Sequence, residues 1–224
     1  MHSSMLAPQG ALSLKVVRPQ RIESLFDLLQ YGYLEGDLPA EVKRWRIANL
    51  PNLWRGWRRV WMARKLGIPH FYGSLSLVAF KRDGRRLDYG LASLRVVTDV
   101  GVGFIVDAFQ NIVELEIMKY HGIGTGGAAE AVGNTTLTTE LTTQYQTDNT
   151  RATGTTAEGA SANIYQTVAT NTVDAGVAIT EHGIFSVAAS GAGVLLDRSL
   201  FSAVNLASGE SIQSTYSLTL TSGG

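Results

Sequence analysis

From residue 73 onward, apolar side chains alternate with polar ones in short runs separated by glycine, asparagine and aspartate. This period of two is typical of β-strands that bury one face, and it continues to the end of the chain. In the last run, residues 211–222, the side chains that share one face are Ile212, Ser214, Tyr216, Leu218 and Leu220. Many short strands at this spacing predict a mainly β fold, an antiparallel β-sandwich, for which jelly-roll and immunoglobulin-like topologies both stay open.

Turn signals indicate where the strands pair. Asp83-Gly84 and Ser190-Gly191 each join two alternating runs and predict hairpins, and residues 150–173 predict a further pair of hydroxyl-rich strands. Residues 113–124 and 134–146 are also predicted as strands. Between them and the first hairpin, Thr98 predicts an N-cap for a short helix that carries Val102, Ile105, Val106 and Phe109.

The first 72 residues differ from the rest, because they contain all four tryptophans and all five prolines. Ile22, Leu25, Phe26 and Leu29 predict one short helix, and Trp54, Trp57 and Trp61 recur along one face of another. Glycine and proline separate these segments, and such a stretch is too short to build its own core. We therefore expect a β-sandwich domain over residues 73–224 preceded by an arm of short helices, residues 1–72.

Charge follows the same division, although the whole chain has a formal net charge of zero. Residues 1–86 hold 15 of the 19 lysines and arginines and 6 of the 19 acidic residues, a net charge of +9, which leaves −9 for residues 87–224. A basic arm beside an acidic domain predicts attachment to something acidic, such as another protein, a nucleic acid, a membrane or a neighbouring copy.

Tryptophan and arginine together are the residue types enriched where proteins dock on one another. The same pattern also suits nucleic-acid binding, membrane-surface docking, or packing of the arm on its own β domain. We favour protein docking and self-packing over nucleic acid and membrane. The candidate docking residues are Trp45, Trp54, Trp57, Trp61, Arg55, Arg58, Arg59 and Arg64.

The stretch YHGIGTGG, residues 120–127, has the G-x-G-x-x-G spacing of a dinucleotide-binding loop. That chemistry needs a helix after the loop, whose N-terminal N–H groups meet the phosphate, and residues 128–140 predict at most one turn of helix. We therefore expect no cofactor here. We expect a turn in which at least one of Gly122, Gly124, Gly126 and Gly127 adopts a positive φ angle.

Catalytic and metal-binding signals are weak. The chain has no cysteine, its four histidines have no close ligand spacing, and neither His121 nor His182 has an obvious catalytic partner along the sequence. Glu181 and His182 are neighbours on a strand, so their side chains point to opposite faces. We expect a protein that is not an enzyme and binds no metal. The lack of an 18-residue apolar run and of a basic segment at the start favours a soluble, unexported chain.

Four stretches of residues 73–224 resemble virion structural proteins of tailed bacteriophages: residues 88–111, residues 119–156, EHGIFS at 181–186, and residues 195–224. The resemblance covers about two-thirds of the chain and implies a β-sandwich module in a particle, most specifically a capsid decoration or cement protein. It implies the major capsid protein and sister copies as partners, and a place on the capsid surface. A head–tail connector, a collar or a tail-fibre attachment protein is the alternative, and a glycan- or host-surface-binding adhesin module is an alternative of another class.

Overall fold

Two antiparallel sheets face each other in the structure, a computed structural model that describes residues 33–34, 36–68 and 70–221. The predicted fold class, a mainly β sandwich with an N-terminal helix, is confirmed. The strands are β1 (His70–Phe80), β2 (Arg86–Val96), β3 (Tyr120–Gly124), β4 (Ala152–Thr153), β5 (Thr155–Glu158), β6 (Ile164–Thr172), β7 (Val177–Phe185), β8 (Leu195–Leu206) and β9 (Ser211–Thr221). The helices are α1 (Ala40–Lys65) and α2 (Asp99–Phe109), with a short 3₁₀ turn at Leu115–Ile117.

The strand order places one edge of each sheet beside an edge of the other. The larger sheet runs β2-β1-β9-β6-β5 and the smaller sheet runs β4-β3-β7-β8. On one side of the sandwich, β4 and β5 are consecutive strands separated by Gly154, so the chain itself crosses between the sheets. On the other side, β2 and β8 are the two edges, and their backbone groups need partners from another element.

Both predicted hairpins are present. β1 pairs with β2 across the Asp83-Gly84 turn, where Gly84 has a φ of 84°. β7 pairs with β8 across the turn that contains Gly191, whose φ is 73°. The predicted N-cap is also confirmed, because the Thr98 hydroxyl accepts a hydrogen bond from the N–H of Gly101 at the start of α2.

Two of the predicted strands are wrong in whole or in part. Only Tyr120–Gly124 of residues 113–124 is a strand, and the 3₁₀ turn precedes it. Residues 134–146 form no strand but an irregular segment held by isolated bridges, among them Gly124 with Glu140 and Tyr145 with Val173. Threonine favours strands, yet this segment follows the edge of β3 only briefly, and its Leu141 and Tyr145 side chains are buried in the core between the sheets.

The core lies between the sheets and is largely aliphatic. Its largest cluster combines Leu75 and Leu77 of β1 with Ile179 and Val204 of the smaller sheet, all with fully buried side chains. A second cluster fills the end of the sandwich at which Phe104 and Ile105 of α2 are buried. Helix α2 therefore closes that end of the sandwich with one of its faces.

Helix α1 is a single helix of 26 residues, not the series of short helices expected from its proline and glycines. It continues through Pro51, although a proline inside a helix removes a backbone hydrogen bond and costs about 3 kcal/mol. The cost of the proline is offset by the burial of one stripe of the helix against β2 and β8. Its members are Val42, Trp45, Arg46, Asn49, Leu53 and Gly56. The short helix predicted at Ile22–Leu29 lies outside the described residues.

Polar side chains of α1 pair with the edge backbone of both sheets. Asn49 donates to the carbonyl of Ala92 in β2 at 2.7 Å and accepts from the N–H of Ser202 in β8 at 2.9 Å. Arg46 donates to the carbonyls of Tyr89 and Asp88 in β2. The boundary predicted at residue 72 from composition therefore does not coincide with a gap in the packing, because α1 covers the open side of the sandwich.

We expect Asn49→Ala to destabilise the chain by about 3 kcal/mol, because it leaves two buried edge groups, one in each sheet, without partners. Urea denaturation at neutral pH measures the change. Lys43→Ala, at an exposed position of the same helix, is the matched control and should change the free energy of unfolding by no more than about 0.5 kcal/mol. Equal stability of the two variants would show that α1 does not hold the sheet edges.

Candidate interaction surface

The second half of α1 presents aromatic rings to solvent. Trp54 stacks on Trp57 with 5.1 Å between ring centroids, and Trp57 stacks on Trp61 at 5.9 Å. Trp54 and Trp61 are 40% and 41% exposed. The predicted spacing along one helical face thus produces a continuous stack of three rings.

Cationic side chains surround this stack. Residues 54–68 contain Arg55, Arg58, Arg59, Arg64 and Lys65 and no acidic residue, and all five cationic residues are exposed. None of them forms an ion pair with another described residue, while the Lys65 ammonium lies 5.6 Å from the centre of the Trp61 ring. We name the exposed part of residues 54–68 the Trp/Arg surface.

Trp45 does not belong to the Trp/Arg surface. It is 7% exposed, its indole N–H donates to the carbonyl of Ser202 at 2.7 Å, and its ring packs on Tyr89 at 4.8 Å. Its predicted docking role is therefore corrected: the side chain is used inside the chain, because the first half of α1 is pressed against the sheet edges. The other seven candidate docking residues all lie on the second half of the helix.

A groove of about 320 Å³ separates the second half of α1 from the outer face of the larger sheet. Trp57, Val60 and Arg64 line its helical side, and the opposite side carries strand residues such as Tyr72 and Gln166. The sheet edges therefore hold the first half of the helix closely, and the second half extends past them with much of its surface uncovered.

The glycine loop does not behave as expected. None of Gly122, Gly124, Gly126 and Gly127 is among the described glycines with positive φ, so that prediction is wrong. The first two lie within β3 or at its end, and close approach explains them. A Cβ atom at Gly124 would overlap the carbonyl oxygen of Thr139, and one at Gly126 would overlap the Glu181 carboxylate.

The Glu181 carboxylate accepts hydrogen bonds from backbone N–H groups in the glycine loop and in residues 138–139. The donors are the N–H groups of Gly126, Thr138 and Thr139, at 3.0, 3.0 and 2.7 Å. The carboxylate also pairs with the Arg198 guanidinium at 2.7 Å, and both side chains are buried. A buried carboxylate bonded to the N–H of Gly126 repels an anion at that position, so the geometry supports a structural role for the glycines.

A second buried ion pair fixes the same irregular segment. Arg151 donates two hydrogen bonds to the Glu140 carboxylate, and the guanidinium lies 3.4 Å from the centre of the Phe185 ring. The side chains of Arg151 and Glu140 are 1% and 8% exposed. Charge pairing therefore helps to hold residues 125–151 against the smaller sheet, and the sequence pattern alone gave no signal for it.

His121 and His182 meet inside the sandwich. Their Nδ1 and Nε2 atoms are 3.0 Å apart, and His121 Nε2 lies 3.2 Å from the Thr167 hydroxyl. Burial lowers the pKa of His121 to about 3, and burial together with the neighbouring His121 lowers the pKa of His182 well below its usual value. Sequence reasoning missed this pair, because 61 positions separate the two residues and only the pairing of β3 with β7 brings them together.

Asp197 of β8 is also fully buried. The Ser199 hydroxyl donates to one carboxylate oxygen at 3.2 Å, and the other oxygen has no hydrogen-bond partner among the described residues. Burial raises the pKa of Asp197 to about 7, while the Arg95 guanidinium opposes that rise. Gly73 makes room for the carboxylate, because a Cβ atom there would overlap it.

These buried groups do not assemble into a recognised reactive site. Among the described residues there is no group of three or more His, Cys, Asp or Glu side chains that could hold a metal ion. Within the same residues, no helix is long and apolar enough to cross a membrane. The feature that most suggests an external partner is the Trp/Arg surface.

Comparison with known proteins gives no match: no protein-family model, no curated protein and no solved structure is significantly similar to this chain.

We expect Gly124→Ala to destabilise the chain by about 2 kcal/mol, because the added methyl group must displace backbone at Thr139. Gly127→Ala is the matched control, since a Cβ atom at Gly127 meets nothing within 4 Å. Chemical denaturation of both variants measures the difference. If the two substitutions cost the same, close approach is not the reason for glycine at position 124.

We expect the free energy of unfolding to fall as the pH drops from about 6.5 to 4.5. Both histidines take up protons below their unfolded pKa of about 6.5 only when the chain unfolds, and each costs about 1.4 kcal/mol per pH unit. Asp197 acts in the opposite direction, because its raised folded pKa makes the folded chain bind a proton between about pH 4 and 7. The combined effect of two histidines is larger than that of one aspartate, so the free energy of unfolding falls by about 1.4 kcal/mol for each pH unit.

Asp197→Asn separates the two contributions. The variant should be more stable than the natural chain at about pH 8, where burying the ionised carboxylate costs most, and its stability should fall about twice as steeply in acid. Urea denaturation across this pH range measures both effects. A stability that stays constant from pH 7 to pH 5 in the natural chain would contradict the assignment.

Proposed function

We propose that this chain is a non-enzymatic structural protein of a phage virion, most specifically a capsid decoration protein, and that it attaches through its Trp/Arg surface. The observation that carries the proposal is the stack of exposed tryptophans on a helix whose other half is fixed to the sandwich. The resemblance of residues 73–224 to virion proteins is the reason for proposing a phage particle as the place of attachment. The major capsid protein and sister copies are the proposed partners.

The Trp/Arg surface has the composition of a protein-docking site. Tryptophan and arginine dominate the residues that contribute most to binding at protein interfaces. Trp54 and Trp61 expose much of their rings without a covering segment among the described residues. Because the helix is anchored by Trp45, Arg46 and Asn49, these rings are held in place before binding, which lowers the entropy lost on docking.

Nucleic-acid binding explains the surface less well. Single-stranded nucleic acids bind where bases can stack on aromatic faces. Here the tryptophans stack on one another at 5.1 and 5.9 Å, so the faces of the central ring are already covered. The surface combines partly stacked indole rings with guanidinium groups, which suit a protein partner with apolar and acidic side chains.

The β-sandwich suits a role as a rigid body. Buried ion pairs fix its longest irregular segment, and the helices close an open side and an end. Such a body presents a docking surface in a fixed orientation, and many copies on one particle add their contacts through multivalency. A connector, collar or tail-fibre attachment protein would use the same docking chemistry at another place in the particle.

We expect the double variant Trp54→Ala, Trp61→Ala to be incorporated into virions at least about tenfold less than the natural chain, because it removes two interface anchors. Purified particles from cells in which the variant replaces the natural chain are compared by gel densitometry against the major capsid protein.

Ile47→Ala is the matched control, because Ile47 is 50% exposed on the first half of the same helix. The control should be incorporated normally, and all variants should unfold at the same temperature. Particles that carry the double tryptophan variant at full occupancy would refute docking through this surface.

A further inference from the structure

Helix α2 carries an exposed apolar stripe on the face away from the core. Gly101, Phe104 and Ile105 are buried. Val102, Val106 and Phe109 follow one another at i, i+4 and i+7 and are 40%, 49% and 80% exposed. A helix that is apolar on both faces is normally covered on both faces, so this stripe lacks a partner in the single chain.

The stripe continues past the end of the helix, and every charged residue within residues 99–117 is acidic. Ile112 and Leu115 are 65% and 45% exposed. Residues 99–117 contain four acidic residues, Asp99, Asp107, Glu114 and Glu116, and no lysine, arginine or histidine. None of these carboxylates forms an ion pair with another described residue. We name this stripe with its carboxylates the α2 surface.

The Trp/Arg surface has the complementary properties. Both surfaces display an apolar helical stripe, but residues 54–68 contribute five cations and no carboxylate, whereas residues 99–117 contribute four carboxylates and no cation. The stripes repeat every three or four residues, so the ridges of one helix can pack into the grooves of the other. Opposite charges around an apolar centre favour this pairing over the pairing of either surface with itself.

Both surfaces lie towards the same end of the sandwich. Helix α1 ends five residues before β1 begins, and α2 begins three residues after β2 ends. The first residues of β1 pair with the last residues of β2, so these two chain segments are neighbours. Each stripe nevertheless remains exposed, so neither covers the other within one chain.

We propose that the α2 surface of one copy receives the Trp/Arg surface of a second copy. The inference rests on the proposed docking function, because it names the occupant of that surface. Since both surfaces lie towards one end, two copies can each present one and receive the other, which makes the contact twice. Sister copies would then join through α1 and α2.

A charge exchange tests the contact with the full chain. One variant carries Arg58→Glu and Arg59→Glu, and the other carries Asp107→Lys and Glu114→Lys. Each variant alone places like charges at every contact, and we expect its self-association to weaken at least about tenfold relative to the natural chain. In an equimolar mixture of the two, every contact between unlike copies is complementary, and association should return.

Sedimentation velocity at about 50 µM chain, where contacts of micromolar Kd are populated, measures the association. Phe109→Ser removes an apolar group that is 80% exposed, so it should weaken association while leaving the fold intact. Arg44→Glu reverses an exposed charge on the first half of α1 and should leave association unchanged.

The inference is overturned if the natural chain is monomeric under these conditions, or if the mixture of reversed variants stays monomeric. Virion occupancy separates this result from the proposed function. If the double tryptophan variant is lost from particles and the natural chain is monomeric, the proposed attachment to the capsid stands and the proposed attachment to sister copies is rejected. If the double tryptophan variant reaches normal occupancy in virions while association returns in the mixture of reversed variants, attachment to sister copies is kept and attachment to the capsid through this surface is discarded.

Discussion

The sandwich depends on how its two open edges are closed. On one side the chain crosses between the sheets at Gly154, where close packing against Thr167 and Lys119 leaves no room for a side chain. On the other side α1 supplies partners to both edges, with Asn49 bonded to both edge strands. Unpaired edges invite association with other strands, so this helix is part of the fold rather than an appendage. Composition divides the chain near residue 72, but the hydrogen bonds do not.

The elements predicted correctly are those in which local pattern and global packing agree. The hairpins, the capped helix and the final strand each show a regular spacing of apolar residues together with a turn or cap signal, and their packing in the fold agrees with both. The sequence predicts only short helices in the arm, one of them with Trp54, Trp57 and Trp61 on one face, whereas α1 runs without a break through Pro51. Gly56 is needed where the helix passes over the backbone of Leu94, and the buried stripe outweighs the cost of Pro51. The irregular segment 125–151 and the histidine pair depend on contacts between distant residues, which no local period reports.

Charge inside the sandwich has two different consequences. Glu140 and Glu181 each pair with an arginine and hold residues 125–151 against the smaller sheet. These ion pairs offset the cost of removing the carboxylates from water. The histidine pair and Asp197 are less completely satisfied, and their burial makes stability depend on pH. Glycine at positions 73, 124 and 126 admits these carboxylates or the backbone beside them. The glycine loop therefore belongs to the packing of buried charge, although its spacing resembles a nucleotide site.

Both helices cover an open part of the sandwich with one face and expose apolar side chains on another. Each uses part of its surface to close the sandwich, α1 along a side and α2 at an end, and each leaves an apolar stripe outside. Closing the sandwich alone would not require tryptophans beyond Gly56 or a phenylalanine at the end of α2, because polar side chains in those positions would leave the buried stripes unchanged. The charges around the two stripes are opposite, and none of them forms an ion pair with another described residue. Both facts are explained together if the exposed stripes exist for contact between molecules, and the fixed inner faces make that contact geometrically defined.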